Sequence, residues 1–317
     1  DGKITEVLNF PITDPDSSAT FVDLSGMLLA AGFVNMSPAL PAAPVTPAAF
    51  TAMAVNAAAG GVTTLMPRIA PRSTAELAAA LDAFRAALST PAPGARLAGL
   101  RVETPFHAPA LGGLALDDPA AREMLPLIIE HSDIVRIVTL APELPSAYEL
   151  LHRLREAGIL VSLGASEAEY EDALEALEAG ATHVTRLFEQ MPPLQPLAPG
   201  LAGAALERDE LFVEFTCDAA VIHPAIISTV ISAKGAERAL PAAPDGEPLT
   251  AVRMLVEDVG WDVGEALSML AATPALCLGG ANFGALQVGA VADLVILDPE
   301  LHPVATLVGG GTVWQRG

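Results

Sequence analysis

From residue 60 onward, short runs of nearly uninterrupted apolar residues alternate with longer stretches in which apolar residues recur every third or fourth position. The short runs are GVTTLMP (61–67), RLAGLRVE (96–103), IVRIVTLAP (134–142), ILVSLGA (159–165), HVTRLFE (183–189) and LFVEFTCD (211–218). A strand that is apolar on both faces has to be covered on both faces, which is the condition of a parallel sheet flanked by helices. The longer stretches open with helix-start signals. Ser73-x-x-Glu76 reads as a capping box, followed by Leu77, Leu81, Phe84 and Leu88 on one face. Ser146-x-x-Glu149 opens a helix that stops at Gly158. Ser166-x-x-Glu169 opens another, with Tyr170, Leu174 and Leu177 facing inward and Ser166 as its N-cap.

With MLLAAGFVNM (27–36) in front, seven strand–helix units are countable, at a spacing of roughly 25 residues. There is no Gly-rich dinucleotide turn and no sign of a reversal in strand order, so an α/β fold of the TIM-like (β/α)8 barrel type is predicted rather than an open sheet. The eighth strand is expected to be short or incomplete, because AERALPAAPDGEPL, which follows Lys234-Gly235, leaves hardly any room for a strand and its loop. The chain ends differ from the middle. GALQVGAVADLVILDPELHPVATLVGGGTVWQRG is all short strands and turns, as are the first residues up to TFVDLSG. The two ends, 1–30 and 284–317, are expected to pair beside a barrel spanning 31–283.

Charge narrows the function classes. The formal net charge is −22 with 16 Lys+Arg in 317 residues. Such a surface repels phosphate backbones and anionic lipid, so neither nucleic acid nor membrane is an expected partner. No apolar run is long enough for a membrane span. The two cysteines, Cys217 and Cys277, form no disulfide framework and no C-x-x-C pair, which points to a reducing cytoplasm. The start, DGKITEV, is polar and has no apolar h-region, so no signal peptide is expected. It also lacks methionine, and the native start is expected to lie upstream.

Eight segments carry a family resemblance: LLAAGFVN (28–35), RVETPF (101–106), VTLAPE (138–143), GILVSLGASEAEY (158–170), GATHVTRLFEQMPPL (180–194), PGLAGAAL (199–206), DAAVIHP (218–224) and GALQVGAVADLVILDP (284–299). In this order they resemble N-acetylglucosamine-6-phosphate deacetylases of the amidohydrolase superfamily. The resemblance implies a metal-dependent barrel that deacetylates an amino-sugar phosphate, a small β-sandwich built from both chain ends, and a homodimer.

The chemical residues implied by the resemblance are mostly replaced. Asn35-Met36-Ser37-Pro38 stands where the first strand often ends in a His pair. Glu103 matches the Glu ligand of the third strand. Ala165 and Arg186 stand where the fifth and sixth strands give His ligands, and Glu189 stands for an Asn. Leu197 replaces the sugar-phosphate Arg, and Val221 replaces the substrate His, leaving Asp218 and a displaced His223. The catalytic Asp that ends the family's eighth strand has no counterpart. A catalytic zinc needs about three protein ligands, and an always-charged guanidinium cannot be one. Glu103 is then a vestigial ligand, and no cofactor is expected; the alternative is one divalent zinc. Arg186 is expected to place its guanidinium where the metal sits in relatives and to neutralise Glu103 or Glu189, since an unpaired buried carboxylate is costly.

The candidate catalytic residues are Glu103 and Glu189; the candidate binding residues are Arg186, Glu189, Asp218, His107 and His223. Three functions compete. One is a non-catalytic relative that binds a sugar phosphate-like molecule or regulates an active partner. The second is a working hydrolase: an atypical deacetylase, or a metal-free enzyme using the two carboxylates. The third is a scaffold whose charged residues only plug an old pocket. His183 opens its strand and is expected at the barrel bottom as a packed or solvated residue, away from the chemistry.

Overall fold

The structure is a computed structural model and describes residues 2–8, 20–40, 45–90, 93–103, 105–114, 118–243, 246–280 and 282–317. Thr104 of the RVETPF motif and residues 244–245 of the compressed segment fall outside these. Strand β1 (Leu28–Ala31) runs at once into β2 (Phe33–Asn35), and helix α1 (Pro47–Ala59) follows. The next unit is β3 (Val62–Leu65), β4 (Arg68–Ile69) and α2 (Thr74–Leu88). After β5 (Arg96–Leu97) and β6 (Leu100–Val102), a loop leads to α3 (Pro119–Glu130). Regular alternation then sets in: β7 (Val135–Leu140), α4 (Ala147–Glu156), β8 (Leu160–Leu163), α5 (Tyr170–Glu178), β9 (His183–Val184), α6 (Gly200–Glu207), β10 (Phe212–Thr216), α7 (Pro224–Lys234) and β11 (Ala239–Ala242). Helices α8 (Pro248–Arg253) and α9 (Val263–Cys277) precede three antiparallel strands, β12 (Leu294–Leu297), β13 (Pro303–Val308) and β14 (Gly311–Gln315).

The parallel strands form the wall of a TIM-type barrel, in two ladders ordered β11-β10-β9-β8-β7-β6-β4 and β2-β3-β5. Pro67 interrupts one strand and Gly99 another. The Arg101 N–H bonds to the Pro67 carbonyl at 3.0 Å and the Ala98 N–H to the Leu65 carbonyl at 3.0 Å, so pairing carries across both breaks. Strand β11 is short, as the sequence implies, but it is there: four residues pair with β10 from Val213↔Ala239 to Thr216↔Ala242. Its Pro241 has no N–H to offer a further strand, and the contact toward β2 is a side-chain bond, Asn35 Nδ2 to the Gly246 carbonyl at 3.2 Å. The main core lies between wall and helices, and a smaller one fills the barrel with Val34, Met36, Met66, Ile137, Phe212, Leu240 and Cys277.

The chain ends meet in an antiparallel sheet of order β1-β12-β13-β14, with Lys3 bridging to Val291 beside it. Buried Asp293 ties this sheet to the barrel by taking Arg96 in two bonds of 2.8 and 3.1 Å. Where β1 becomes β2, a Cβ on Gly32 would stand 2.1 Å from Thr63 Cγ2, so no larger residue fits. Among the described residues no helix is long and apolar enough to cross a membrane.

The helix starts separate real caps from apparent ones. The Ser73 hydroxyl does accept the Glu76 N–H, at 3.2 Å. Leu88 is exposed rather than packed, because α2 ends there. Ser146 has a left-handed backbone and makes no capping bond. Ser166 caps a turn, accepting the Ala168 N–H at 2.9 Å, while α5 starts later behind a Glu169/Asp172 capping box. Helix α5 buries Ala173 and Ala176, with Tyr170, Leu174 and Leu177 half-buried at the margin.

Candidate functional site

Two charged clusters sit one above the other inside the wall. The lower one is built on Arg101, in the middle of β6 and fully buried. Its Nη1 donates to Glu214 Oε2 on β10 at 2.8 Å, and its Nη2 donates to Thr185 Oγ1 at 2.6 Å and to Ser162 Oγ at 3.4 Å. The Thr185 hydroxyl in turn donates to Glu214 Oε1 at 2.9 Å. His183, at the start of β9, pairs its Nδ1 with Ser162 Oγ at 2.8 Å. Burial works against the charge on Arg101, but the carboxylates of Glu214 and Glu103 outweigh it and hold the guanidinium above its usual pKa. Glu214 mirrors this: burial raises it, the charge of Arg101 and the hydrogen bonds from Arg101 and Thr185 lower it more, and the net shift is downward. His183 has no such compensation. Burial pushes it down to about 4, against a smaller pull from Glu214, so the ring is neutral.

The upper cluster centres on Glu103, which follows the last residue of β6. Its Oε2 accepts from Arg68 Nη1 at 2.9 Å and from Arg186 Nη2 at 3.1 Å, and its Oε1 lies 3.5 Å from Arg101 Nε. Arg186 thus pairs with Glu103, the first of the two carboxylates named from the sequence. Glu189 is held differently, accepting the Thr216 hydroxyl at 2.5 Å. The loop carrying these groups is bent by its neighbours. Arg186, Phe188 and Gln190 have φ of 48°, 70° and 51°, and Ala165 in the adjacent loop has 49°. A left-handed non-glycine residue costs about 1 kcal/mol or more. The strain is held by the Leu187 N–H on the Glu214 carbonyl at 2.9 Å and the Ser166 N–H on the Gln190 carbonyl at 3.0 Å.

Arg68, Arg186, Glu189 and Thr216 line a cavity of about 520 Å³ at the mouth of the barrel, with Asn35 and Asn56 also on its wall. Glu103 stands behind the arginines. Cavities of roughly 300–1,000 Å³ are the size that takes small ligands. The other sequence candidates do not line it. Asp218 folds its carboxylate onto the Ala220 N–H at 2.8 Å, and exposed His223 caps α7 by accepting the Ala225 N–H at 3.1 Å. His107 is partly buried beside Glu103, and burial lowers its pKa against the pull of that carboxylate. Its Nε2 is buried without a partner among the described residues. His183 is packed rather than solvated. Leu197, in the position that the resemblance gives to a phosphate-binding arginine, is 99% exposed and outside the cavity.

The donor set does not fit a catalytic divalent metal. Glu103 Oε2 already accepts two guanidinium N–H groups, and an ion there would meet three arginines at ion-pair range. Among the described residues no three His, Cys, Asp or Glu side chains converge.

Arg68, Arg101, Glu214 and Thr216 were not singled out from the sequence. A signal for two of them was there: a charge inside a run covered on both faces needs a buried countercharge, and Arg101 and Glu214 are such charges in RLAGLRVE and LFVEFTCD.

Comparison with known proteins agrees with this architecture. A sequence model of the amidohydrolase family matches residues 45–313. The chain is 34% identical over 226 residues to the N-acetylglucosamine-6-phosphate deacetylase of Bos taurus, covering 58% of this chain and 55% of that protein. It is 31% identical over 274 residues to the Homo sapiens protein of the same name, covering 70% and 66%. The chain therefore spans between about half and two thirds of the length of these two relatives. Among solved structures, N-acetylglucosamine-6-phosphate deacetylase from Pasteurella multocida superposes with a TM-score of 0.86 over 100% of this chain and 94% of that one, at 23% identity. A barrel wall of this order, a sheet from both chain ends and these matches lead to one conclusion: the chain belongs to the amidohydrolase family, among the relatives of N-acetylglucosamine-6-phosphate deacetylase.

Proposed function

We propose that this chain is a non-catalytic member of its family that binds a sugar phosphate-like small molecule at the barrel mouth. One observation carries the reading: Glu103, the one metal-ligand carboxylate retained, is taken by Arg186 at 3.1 Å and Arg68 at 2.9 Å. A carboxylate so engaged is a poor metal ligand, because its oxygen already accepts two guanidinium N–H groups and these cations repel a second cation. The cavity of about 520 Å³ favours binding over a bare scaffold. In this reading no cofactor is used, Arg68, Arg186 and Glu189 contact the ligand, and Glu103 positions the arginines. The barrel of 31–283 and the terminal segments 1–30 and 284–317 act as a cytoplasmic homodimer.

A second reading, an active amino-sugar-phosphate deacetylase with an atypical site and one zinc ion, is favoured by the names of the relatives. The test is acetate release from N-acetylglucosamine 6-phosphate by zinc-dialysed protein, with metal content measured in parallel. No acetate release and less than about a tenth of a zinc per chain support the non-catalytic reading, whereas a site with the usual ligands would hold close to one. Turnover with stoichiometric zinc replaces it with the second.

A further inference from the structure

The proposed binding role leaves open which form of an amino-sugar phosphate the cavity holds, and the arrangement of charge bears on that. Two cationic groups stand on one part of the wall. Arg68 and Arg186 both lean on the same oxygen of Glu103, so one carboxylate answers two guanidiniums. Arg101, the third cation, is spoken for by Glu214. Arg68 and Arg186 keep 23% and 27% of their side chains exposed on this wall, Arg186 Nη1 also donating to Gln190 Oε1 at 3.1 Å, and a guanidinium's fork of donors suits an oxyanion. Glu189 is a separate negative point on the same wall. It takes one hydroxyl, from Thr216, and no ion pair to it is found among the described residues. Glu214 and Glu247 also line the cavity. The lining therefore has no excess of positive charge, and the whole chain carries −22. A purely anionic ligand would work against that field; a ligand carrying both signs would not.

We infer that the cavity selects a zwitterion, with its oxyanion on Arg68 and Arg186 and a free ammonium on Glu189. This rests on the non-catalytic binding role above and deepens it: the chain holds the deacetylated amino-sugar phosphate in preference to the N-acetylated one. The chemistry is simple. A carboxylate gains a charge-assisted bond from an ammonium, but only an ordinary hydrogen bond from an amide N–H, and an acetyl group would stand between them.

Calorimetric titration at fixed ionic strength tests this with four probes: glucosamine 6-phosphate, N-acetylglucosamine 6-phosphate, glucose 6-phosphate and inorganic phosphate. The amine is expected to bind at least about tenfold more tightly than the acetylated and hydroxyl analogues, the size of one charge-assisted bond. Glu189→Gln, which keeps an acceptor for Thr216, is expected to remove that preference, so that glucosamine 6-phosphate binds no more tightly than glucose 6-phosphate. Arg68→Gln and Arg186→Gln, made separately so that one misfolded variant does not end the test, are expected to weaken all four probes about tenfold. Equal or tighter binding of the acetylated form overturns the inference. So does a preference that survives Glu189→Gln, or the absence of binding by any probe. Acetate release reports on catalysis by itself, so tight binding of the acetylated form without turnover would sink the amine preference and leave the non-catalytic role standing.

Discussion

The two charged clusters use the same side chains to opposite ends. In the lower one, Arg101 is fully buried and its two Nη atoms are taken by Glu214, Thr185 and Ser162, while Arg101 Nε and His183 Nε2 have no hydrogen-bond partner among the described residues. In the upper one, Arg186 keeps 27% of its side chain exposed and Arg68 keeps 23%. A closed network can fix a fold but has nothing left for a ligand, whereas an open one adds little stability and keeps donors free. Stability should therefore follow the lower cluster and binding the upper.

The largest blow to that contrast would come from Glu214→Gln. It leaves the buried guanidinium of Arg101 without its main countercharge, and a loss of about 3–5 kcal/mol is expected in urea unfolding. A loss below about 1 kcal/mol would mean that the lower cluster is no more structural than the upper. Acid comes next. The His183 ring titrates near 6.5 when unfolded and at about 4 when folded. Between those values the unfolded chain binds more protons, so this contribution is full above pH 6.5 and falls by about 3 kcal/mol as pH drops to 4. Stability measured at both ends of that window should fall less in His183→Gln than in the parent; equal slopes would remove His183 from the account. Gly164→Ala is a steric probe of the same region. A Cβ there would stand 2.5 Å from Thr185 Cγ2, close to the Arg101 network, and about 1–3 kcal/mol should be lost. The smallest effect is expected at the top. Arg186→Gly relieves a left-handed φ of 48° and gives up one of three guanidiniums around Glu103, Arg68 and Arg101 remaining, so unfolding should change by less than about 1 kcal/mol while phosphate binding weakens. A large destabilisation would merge the two clusters into one structural unit.

What the sequence disclosed follows the same division. Near-continuous apolar runs revealed the parallel wall, because burial on both faces leaves a local imprint. The Arg186–Glu103 pair was foreseeable across 83 positions because both residues stand at strand ends in motifs that could be aligned. The Arg101–Glu214 pair spans 113 positions and lies within strands, where the apolar pattern hides a lone charge. Arg68 escaped notice because it lies just past Pro67, where a strand is broken and its direction is set by pairing with β6. The caps failed where the loop geometry was unusual: Ser146 sits in a left-handed conformation, and Ser166 is diverted to Glu143 at 2.7 Å.

The three left-handed residues at 186, 188 and 190 have a consequence of their own. Their bend is imposed by main-chain bonds to β10 and to the loop after β8, not by the identity of the side chains they carry. Such a loop behaves as a mounting bracket. Whatever is bolted on at 186 points across the mouth of the barrel, so occupants can be exchanged, by evolution or at the bench, while the bracket keeps its shape.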